Sequence, residues 1–493
     1  MKRMKRRLMW LLPVLAAAAA LGWLVCSRLF APAPSAQLSA AAERLDEVIL
    51  SVEMNAAERS LSVSQTLKMT NRTGQEQEAA VLRTWANAFQ NMDASPCAQD
   101  DDWYSLYYPD GFSAGALVMG RVRVNGGSVL HRYADDAKTV LSVPVPGGWE
   151  PDETILIDLD YVIHMPQMAY RFGVQEDIWA LGNAFAIPAV WEDGAFRTDA
   201  YAAVGDPFVS DCANYEVYVS VPEGYACAGS SEPQETHSRG MTHYAFTAPA
   251  VRDFALVIGR FEKAQAKQDG VLVTAYAATA AQAREMLRYG RKALQCYSKA
   301  YGDYVYPAYT LAEVHLPHGG MEYPALSMIS SALLEEGGRE LEYAVAHETA
   351  HQWWYAAVGS DSWNQAWQDE ALAEFSLLHY AEERYGRSER DDLERSRMES
   401  SLRVTVPRGM TPGAPLDYFD SMSRYKLLVY DRGAACLCAM DRTVPLDGFL
   451  RDYYRTYAFQ RASRQDFEQL LLQSTGEDLS PLMRDYLDTT ILN

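Results

Sequence analysis

Two textures of hydrophobic patterning divide this chain. From about Ala41 to Lys263, apolar and polar positions alternate with period two. Examples are V-I-L-S-V-E-M, S-L-S-V-S-Q-T-L-K-M-T-N, A-L-V-M-G-R-V-R-V, T-I-L-I-D-L-D-Y-V-I and Y-E-V-Y-V-S-V-P, set off by turns such as Asn125-Gly126-Gly127. Side chains on a strand point alternately to either face, so this stretch predicts a β-sandwich or saddle-shaped sheet. From Ala264 the period lengthens. Ala277 to Tyr301 predicts a long helix and Y-T-L-A-E-V-H-L a strand, and beyond Glu340 the chain reads largely as helices. These are expected at about Glu340 to Gly359, Asp369 to Tyr385 (closed by Gly386), Glu389–Val404, Tyr430–Met440 and Ser463–Gln473.

A third texture lies at the start. M-K-R-M-K-R-R is followed by nineteen uncharged residues, Leu8 to Cys26, rich in Ala and Leu. As a helix these would span roughly 28 Å, close to a hydrocarbon core. The preceding basic cluster places the N-terminus in the cytoplasm and the remainder outside. A cleaved signal peptide is the rival reading, but A-P-A-P-S-A-Q offers no clean small-x-small site near the end of the run. The expected organisation is therefore a cytoplasmic tail and single transmembrane anchor at 1–30, a stalk at 31–40, a β domain at 41–263 and a second domain at 264–493, with that second domain extracytoplasmic at the cell membrane.

Apolar content of 48% and charged content of 22% are those of a folded protein. The net charge of −21 becomes more negative still once the basic N-terminal segment is set aside. That argues against nucleic acid and against lying on an anionic membrane surface. The seven cysteines form no C-x-x-C pair. Cys212 and Cys227 could bridge neighbouring strands of an exported domain, but no disulfide framework is legible.

The chemistry concentrates at Ala346 to Glu370. His347 and His351 lie four apart in H-E-x-x-H, so on a helix they share a face and can grip one metal ion. Glu348 stands beside them as a general base. Eighteen residues separate His351 from Glu370, which sits near the start of the next helical pattern. Two imidazoles and a carboxylate leave a fourth position open, the arrangement of a catalytic zinc site. Just upstream, H-G-G-M-E-Y-P follows a predicted strand. Its paired glycines would let another backbone approach closely, and Glu322 could pair with a substrate ammonium.

G-G-M-E-Y resembles the G-x-M-E-N element of the membrane alanyl aminopeptidase family, the zinc gluzincins that include the leukotriene hydrolases. H-E-x-x-H-x18-E matches that family's spacing, W-Q-D-E-A-L-A-E (Trp367 to Glu374) is similar to its W-L-N-E-G-F-A-E, and Y-D-R-G-A (Tyr430 to Ala434) to its Y-x-K-G-A. T-N-R-T, Asn87-Ala88-Phe89 and V-R-D-F-A near Arg252 extend the likeness toward the amino terminus. The resemblance implies a β-sandwich or saddle-like domain followed by a thermolysin-like, mostly helical zinc peptidase domain. It implies one Zn2+ on His347, His351 and Glu370, with Glu348 deprotonating a zinc-activated water and Tyr430 stabilising the oxyanion. Glu322 would hold the free α-amine, the Gly319, Gly320 and Met321 backbone would pair with substrate, and Glu374 would orient a zinc histidine. Tyr425 is a second nearby hydroxyl.

The departures are Tyr323 for the family's Asn, Arg432 for Lys, and Asp369 and Ala371 beside Glu370. The Gln that many members' amino-terminal domains bring to the amine site has no matching motif; Gln175 and Asn183 are candidates. The expected activity is removal of N-terminal residues from peptides. Alternatives are a weakly catalytic peptide-binding or sensor ectodomain on the same fold, or an endopeptidase or epoxide hydrolase of the same family. Neither side-chain preference nor oligomeric state is legible.

Overall fold

The computed structural model describes residues 35–92, Cys97 and 103–490. The predicted anchor at 8–26 lies outside the described residues, and among these no helix is long and apolar enough to cross a membrane. Residues expected as a stalk are in part a docked helix, Ala36–Ala42, capped by Ser35. Leu38 is wholly buried there, and one apolar anchor turns a tether into part of the domain.

The alternating region forms an eight-stranded sheet and two four-stranded sheets. In the large sheet the strand order is Gln234–Ser238, Met241–Val251, Ala213–Pro222, Glu47–Asn55, Ser60–Thr70, Thr154–His164, Ala116–Val124 and Gly127–Ser128. Neighbours are antiparallel except Glu47–Asn55 beside Ala213–Pro222. Strict alternation along Glu47–Asn55 buries Val48, Leu50, Val52 and Met54 on one face, and Ile155, Ile157, Leu159, Tyr161 and Ile163 do the same across the sheet. A one-residue slip would expose all of them, so the hydrophobic pattern itself fixes the register. Asn125 and Gly126 both take positive φ in the turn that closes one hairpin.

A five-stranded sheet begins the second region, in the order Glu262–Gln268, Val271–Ala277, Ala308–Val314, Leu326–Ser330, Gly320–Met321. Its first strand starts before residue 264, so the structural division falls a little earlier than the change in sequence texture. The central strand Ala308–Val314 is buried at every position, as expected of a parallel strand covered on both faces. Helix Ala280–Tyr301 follows the second strand. The Glu313 carboxylate accepts from Ala278 N–H at 2.6 Å, just ahead of that helix, where the helix dipole favours negative charge.

The H-E-x-x-H helix is Gly338–Ala350, with His351 at its C-cap. It stops well short of the Gly359 expected from the sequence. Trp353 and Trp354 turn into the core, their indole N–H groups donating to Gly302 O at 3.0 Å and Ser376 Oγ at 2.9 Å. The chain then reverses through Tyr355, whose φ is 135°. A bulky residue holds that conformation only when packing over-determines it. The next helix, Trp367–Tyr385, ends at Gly386, which has positive φ and donates back to Glu382 O. Helices Asp447–Tyr457 and Ser480–Leu487, not anticipated from the pattern, complete the bundle. Cys212 and Cys227 are buried free thiols, so they are not bridged.

Candidate active site

His347 and His351 stand one turn apart on a helix fixed to the five-stranded sheet by hydroxyls. Tyr309 Oη bonds Ser327 Oγ and Thr349 Oγ1 at 2.8 and 3.1 Å, and Ser327 Oγ donates to Glu348 O at 3.2 Å. The two Nε2 atoms face each other at 3.1 Å, and Glu370 Oε2 lies 3.4 and 3.3 Å from them. The far nitrogens explain this inward facing. His351 Nδ1 lies 3.1 Å from Trp354 O, and His347 Nδ1 lies 3.3 Å from Glu374 Oε1. Protons on both Nδ1 atoms leave both Nε2 lone pairs pointed at one spot.

Buried Glu370 Oε2 has no hydrogen-bond partner there. Three donors about 2.0–2.1 Å from a tetrahedral zinc would sit roughly 3.3–3.4 Å apart. The donor set and its spacing therefore fit Zn2+. Glu374, the expected orienting residue, is itself held by Arg397 at 3.2 Å.

The electrostatics are those of a buried charge cluster. Burial pulls the His347 pKa down, but Glu370 and Glu374 outweigh it and raise the value to about 9. For Glu370, burial is overcome by His347 and His351, leaving its carboxyl at about 2. Glu374 is likewise held near 2 against burial by His347 and Arg397. Glu348 behaves oppositely: burial, only partly offset by the histidines, lifts it to about 7. A carboxylate poised near neutrality suits a group that must both take and return a proton.

The G-G-M-E-Y segment passes directly over Glu348. Gly320 and Met321 form an edge strand antiparallel to Leu326–Ser330. A Cβ at Gly320 would lie 2.5–2.7 Å from the Glu348 carboxylate, so only glycine lets the strand run this close. Gly319 O accepts from Ser330 N–H at 3.0 Å. Gln352, one residue beyond the H-E-x-x-H motif, ties the segment down: its Nε2 donates to Tyr323 O at 3.1 Å and its Oε1 accepts from Ala325 N–H at 2.8 Å. Glu322 is thereby set in the cleft, 6% exposed, with a carboxylate oxygen within 4.8 Å of ligand atoms of Glu348 and His351.

Tyr430 lies in a π-helical turn, Lys426–Arg432, a local irregularity often found at functional sites. Its ring stacks on His347 with centroids 5.6 Å apart, and its hydroxyl donates to Glu370 Oε1 at 2.5 Å. Tyr425 packs edge-on against it, is wholly buried, and supports the ring.

Of the amino-terminal candidates, Gln175 turns away to Asp110. Asn183 bonds Asp253 and the Tyr323 hydroxyl, each at 2.7 Å, so it supports the residue after Glu322 rather than lining the site. The tyrosine that stands where the family has Asn is thus a link between the two regions. The residue that does reach the site from the β region is Asp206, paired with buried Arg171. Its only sequence signal is the Gly-Asp-Pro turn at 205–207, which carries no chemistry by itself. Arg252 is a second residue whose role emerges only in three dimensions. Wholly buried, it donates to Tyr355 O at 2.8 Å, Ala357 O at 3.1 Å and Ser210 O at 3.2 Å, pinning the β region to the loop after His351.

Two histidines and a glutamate converging on one point, with a buried glutamate beside them, are the arrangement of a catalytic zinc site. Residues 286–486 match the Peptidase family M1 domain. The chain is 28% identical over 190 residues to mouse (Mus musculus) aminopeptidase RNPEPL1, covering 35% of this chain and 26% of that protein. It is 24% identical over 307 residues to a leucyl aminopeptidase of Saccharolobus solfataricus, covering 56% and 38%. It thus spans well under half the length of these relatives. The M1 zinc metallopeptidase of Deinococcus radiodurans superposes with a TM-score of 0.63 at 19% identity, over 90% of this chain and 94% of that one. Residues 286–486 thus form a domain matching peptidase family M1, and the cofactor that its His-His-Glu group fits is Zn2+.

Proposed function

We propose that this protein is an aminopeptidase that removes N-terminal residues from peptides. The observation that carries the reading is Glu322. Its carboxylate is buried at the cleft, beside Glu348 and the metal ligands, with no hydrogen-bond partner among the described residues. Burial pushes the Glu322 carboxyl well above its ordinary value, so its charged form calls for a cationic partner in the cleft, which suits a free α-ammonium.

Zinc held by His347, His351 and Glu370 would supply Lewis acidity and lower the pKa of a water. The residues of the chain do the rest. Glu348, near neutrality and within reach of the same point, takes the proton of the attacking water and returns it to the leaving amine. The Tyr430 hydroxyl, shared with Glu370 at rest, turns to the oxygen on which charge develops. The short edge strand at Gly320–Met321 offers backbone groups to an extended substrate. Among relatives, a variant of the Deinococcus enzyme has been solved bound to a Tyr-Ser-Ala substrate, in keeping with a short peptide in such a cleft.

Aminoacyl fluorogenic substrates, free and N-acetylated, test this on the zinc-loaded protein. Free substrates should be cut at least tenfold faster, and equal rates on blocked substrates would sink the proposal. Attachment to a membrane through residues 8–26, with the site outside the cytoplasm, belongs to the same proposal. It is supported by the basic cluster ahead of that uncharged run. Alkaline-wash fractionation of the full chain against one starting at residue 35 tests it; equal recovery of both in the supernatant refutes it.

A further inference from the structure

We infer that the cleft beside the His-His-Glu group selects a large, uncharged first side chain, aromatic or aliphatic, and that Tyr107 of the β region and Met422 of the helical region determine this preference. The inference rests on the aminopeptidase reading and deepens it by naming the substrate class.

With the substrate's amine at Glu322 and its carbonyl where His347, His351 and Glu370 converge, the first side chain projects into the cleft bounded by Gly320 and Tyr430. Counted to its open mouth, that cleft holds about 500 Å3, within the range of pockets for small organic ligands. A methyl group alone would leave most of it filled with water.

The walls come from both regions. Tyr107 ends the short helix Trp103–Tyr107 and meets Tyr170 edge-on, with ring centroids 5.2 Å apart. Both rings are buried yet line the opening. The catalytic region adds Leu316, Met321 of the edge strand, and Met422, which opens the helix Met422–Tyr425. The two methionines are half-buried, so their thioethers border the open space. The two sides touch where Tyr107 Oη lies 3.2 Å from His318 Nε2, a pair 211 residues apart. The Tyr107 ring cannot leave the wall without breaking that contact.

Charge decides what these walls refuse. The Arg171 and Asp206 side chains on the lining are paired with each other. An incoming ammonium, guanidinium or carboxylate would lose its water and find the opposite charge already engaged, which is a net cost. An apolar side chain loses nothing there and displaces water from aromatic and thioether surface. Aromatic side chains gain edge contacts with the two tyrosines. Methionines yield to side chains of different outline, so the preference is for size and lack of charge rather than for one residue. Met321 is joined in sequence to Glu322 and Tyr170 to Arg171. Tyr107 and Met422 are therefore walls that can change without moving those charged groups.

The test measures kcat/KM of the zinc-loaded full chain on fluorogenic amides of Phe, Leu, Ala, norleucine, Lys and Glu. Phe and Leu should exceed Ala by about tenfold or more, the usual worth of added methylenes in an apolar pocket. Norleucine should exceed Lys, from which it differs chiefly by lacking the ammonium, by about as much, and Glu should be cut slowest. Tyr107→Ala should lower the Phe-to-Ala ratio, and Met422→Glu should raise the Lys-to-norleucine ratio, each by roughly tenfold, with zinc content as in the wild type. A merely structural role would lower all substrates alike; unmoved ratios in both variants overturn the assignment of these residues. Fastest turnover of Ala, Lys or Glu by the wild type overturns the inference whole. Should Tyr107→Ala fail to fold, Met422→Glu and the wild-type panel decide alone. The two readings fail separately. If N-acetylated substrates are cut as fast as free ones, or none of the panel is cut, the aminopeptidase reading falls; a preference for the free amine without one for size and lack of charge refutes only this inference.

Discussion

The eight-stranded sheet and the two helices that carry the His-His-Glu group bury their side chains by opposite rules. Along Glu47–Asn55 and Thr154–His164 the inward positions are apolar almost without exception, and the polar residues between them face water. Helix Trp367–Tyr385 is buried almost continuously from Trp367 to Ala381, and that interior includes Asp369, Glu370 and Glu374. Its partner Gly338–Ala350 buries His347 and Glu348. Burying apolar area stabilises without regard to what lies opposite, whereas each buried charge is tolerable only with a specific partner. One region supplies rigidity. The other is a set of mutually dependent charges that the rigidity holds in place.

The contrast can be broken most sharply at Glu348. Replacing it with Ala should lower kcat by about 10^2–10^4-fold, the usual worth of a positioned general base. Zinc content and melting temperature should hold or rise, because a carboxylate that burial has lifted to about 7 is no asset to the fold. A variant that loses its zinc would place Glu348 among the ligands and contradict its assigned role.

The opposite outcome is expected in the sheet. Leu159, wholly buried, should cost about 2–5 kcal/mol of stability as Ala. Urea unfolding reads that loss, and kcat at 25 °C should stay within twofold of wild type. A matching fall in kcat would show that the two regions are not separable in this way.

Gly320 lies where backbone and charge meet. As Ala, its Cβ must displace the Glu348 carboxylate or the edge strand, and displacement of about 1 Å can cost on the order of 10^2-fold in rate. Steady-state kinetics should show the loss in kcat with zinc content intact; wild-type kcat in G320A would mean the strand yields freely.

The smallest effect concerns Asp253, whose carboxyl burial pushes up to about 7. A folded pKa above the unfolded value of 3.8 means that the stability it contributes is fully present below about pH 4 and lost as pH rises through about 7. Asp253→Asn should remove that slope. The melting-temperature difference between wild type and variant should therefore change across pH 4 to 7, and a constant difference would show that Asp253 does not titrate there.

What was legible in the sequence follows the range of the contacts involved. His347 and His351 face one point because a helix repeats every 3.6 residues, and the alternation of Val48 to Met54 needs only a strand. Gly319-Gly320 announced a close approach, though not that the approaching group is Glu348. The sequence pattern carries the H-E-x-x-H helix nine residues past its end at Ala350, because that end is set by Trp353 and Trp354 finding Gly302 and Ser376 across the core rather than by a local stop signal.

The sequence by itself therefore determined that His347 and His351 share a helix face with Glu348 beside them, and the alternation of the sheets, since each depends on periodicities a few residues long. Only the tertiary structure decided which acid from the β region enters the cleft, that Gln352 fixes the Glu322 segment, and that Arg252 bolts the two regions together. Arg252 and the Tyr355 carbonyl it holds are 103 residues apart in the chain. No local pattern encodes such a pair, because its energy depends on two surfaces meeting and excluding water between them.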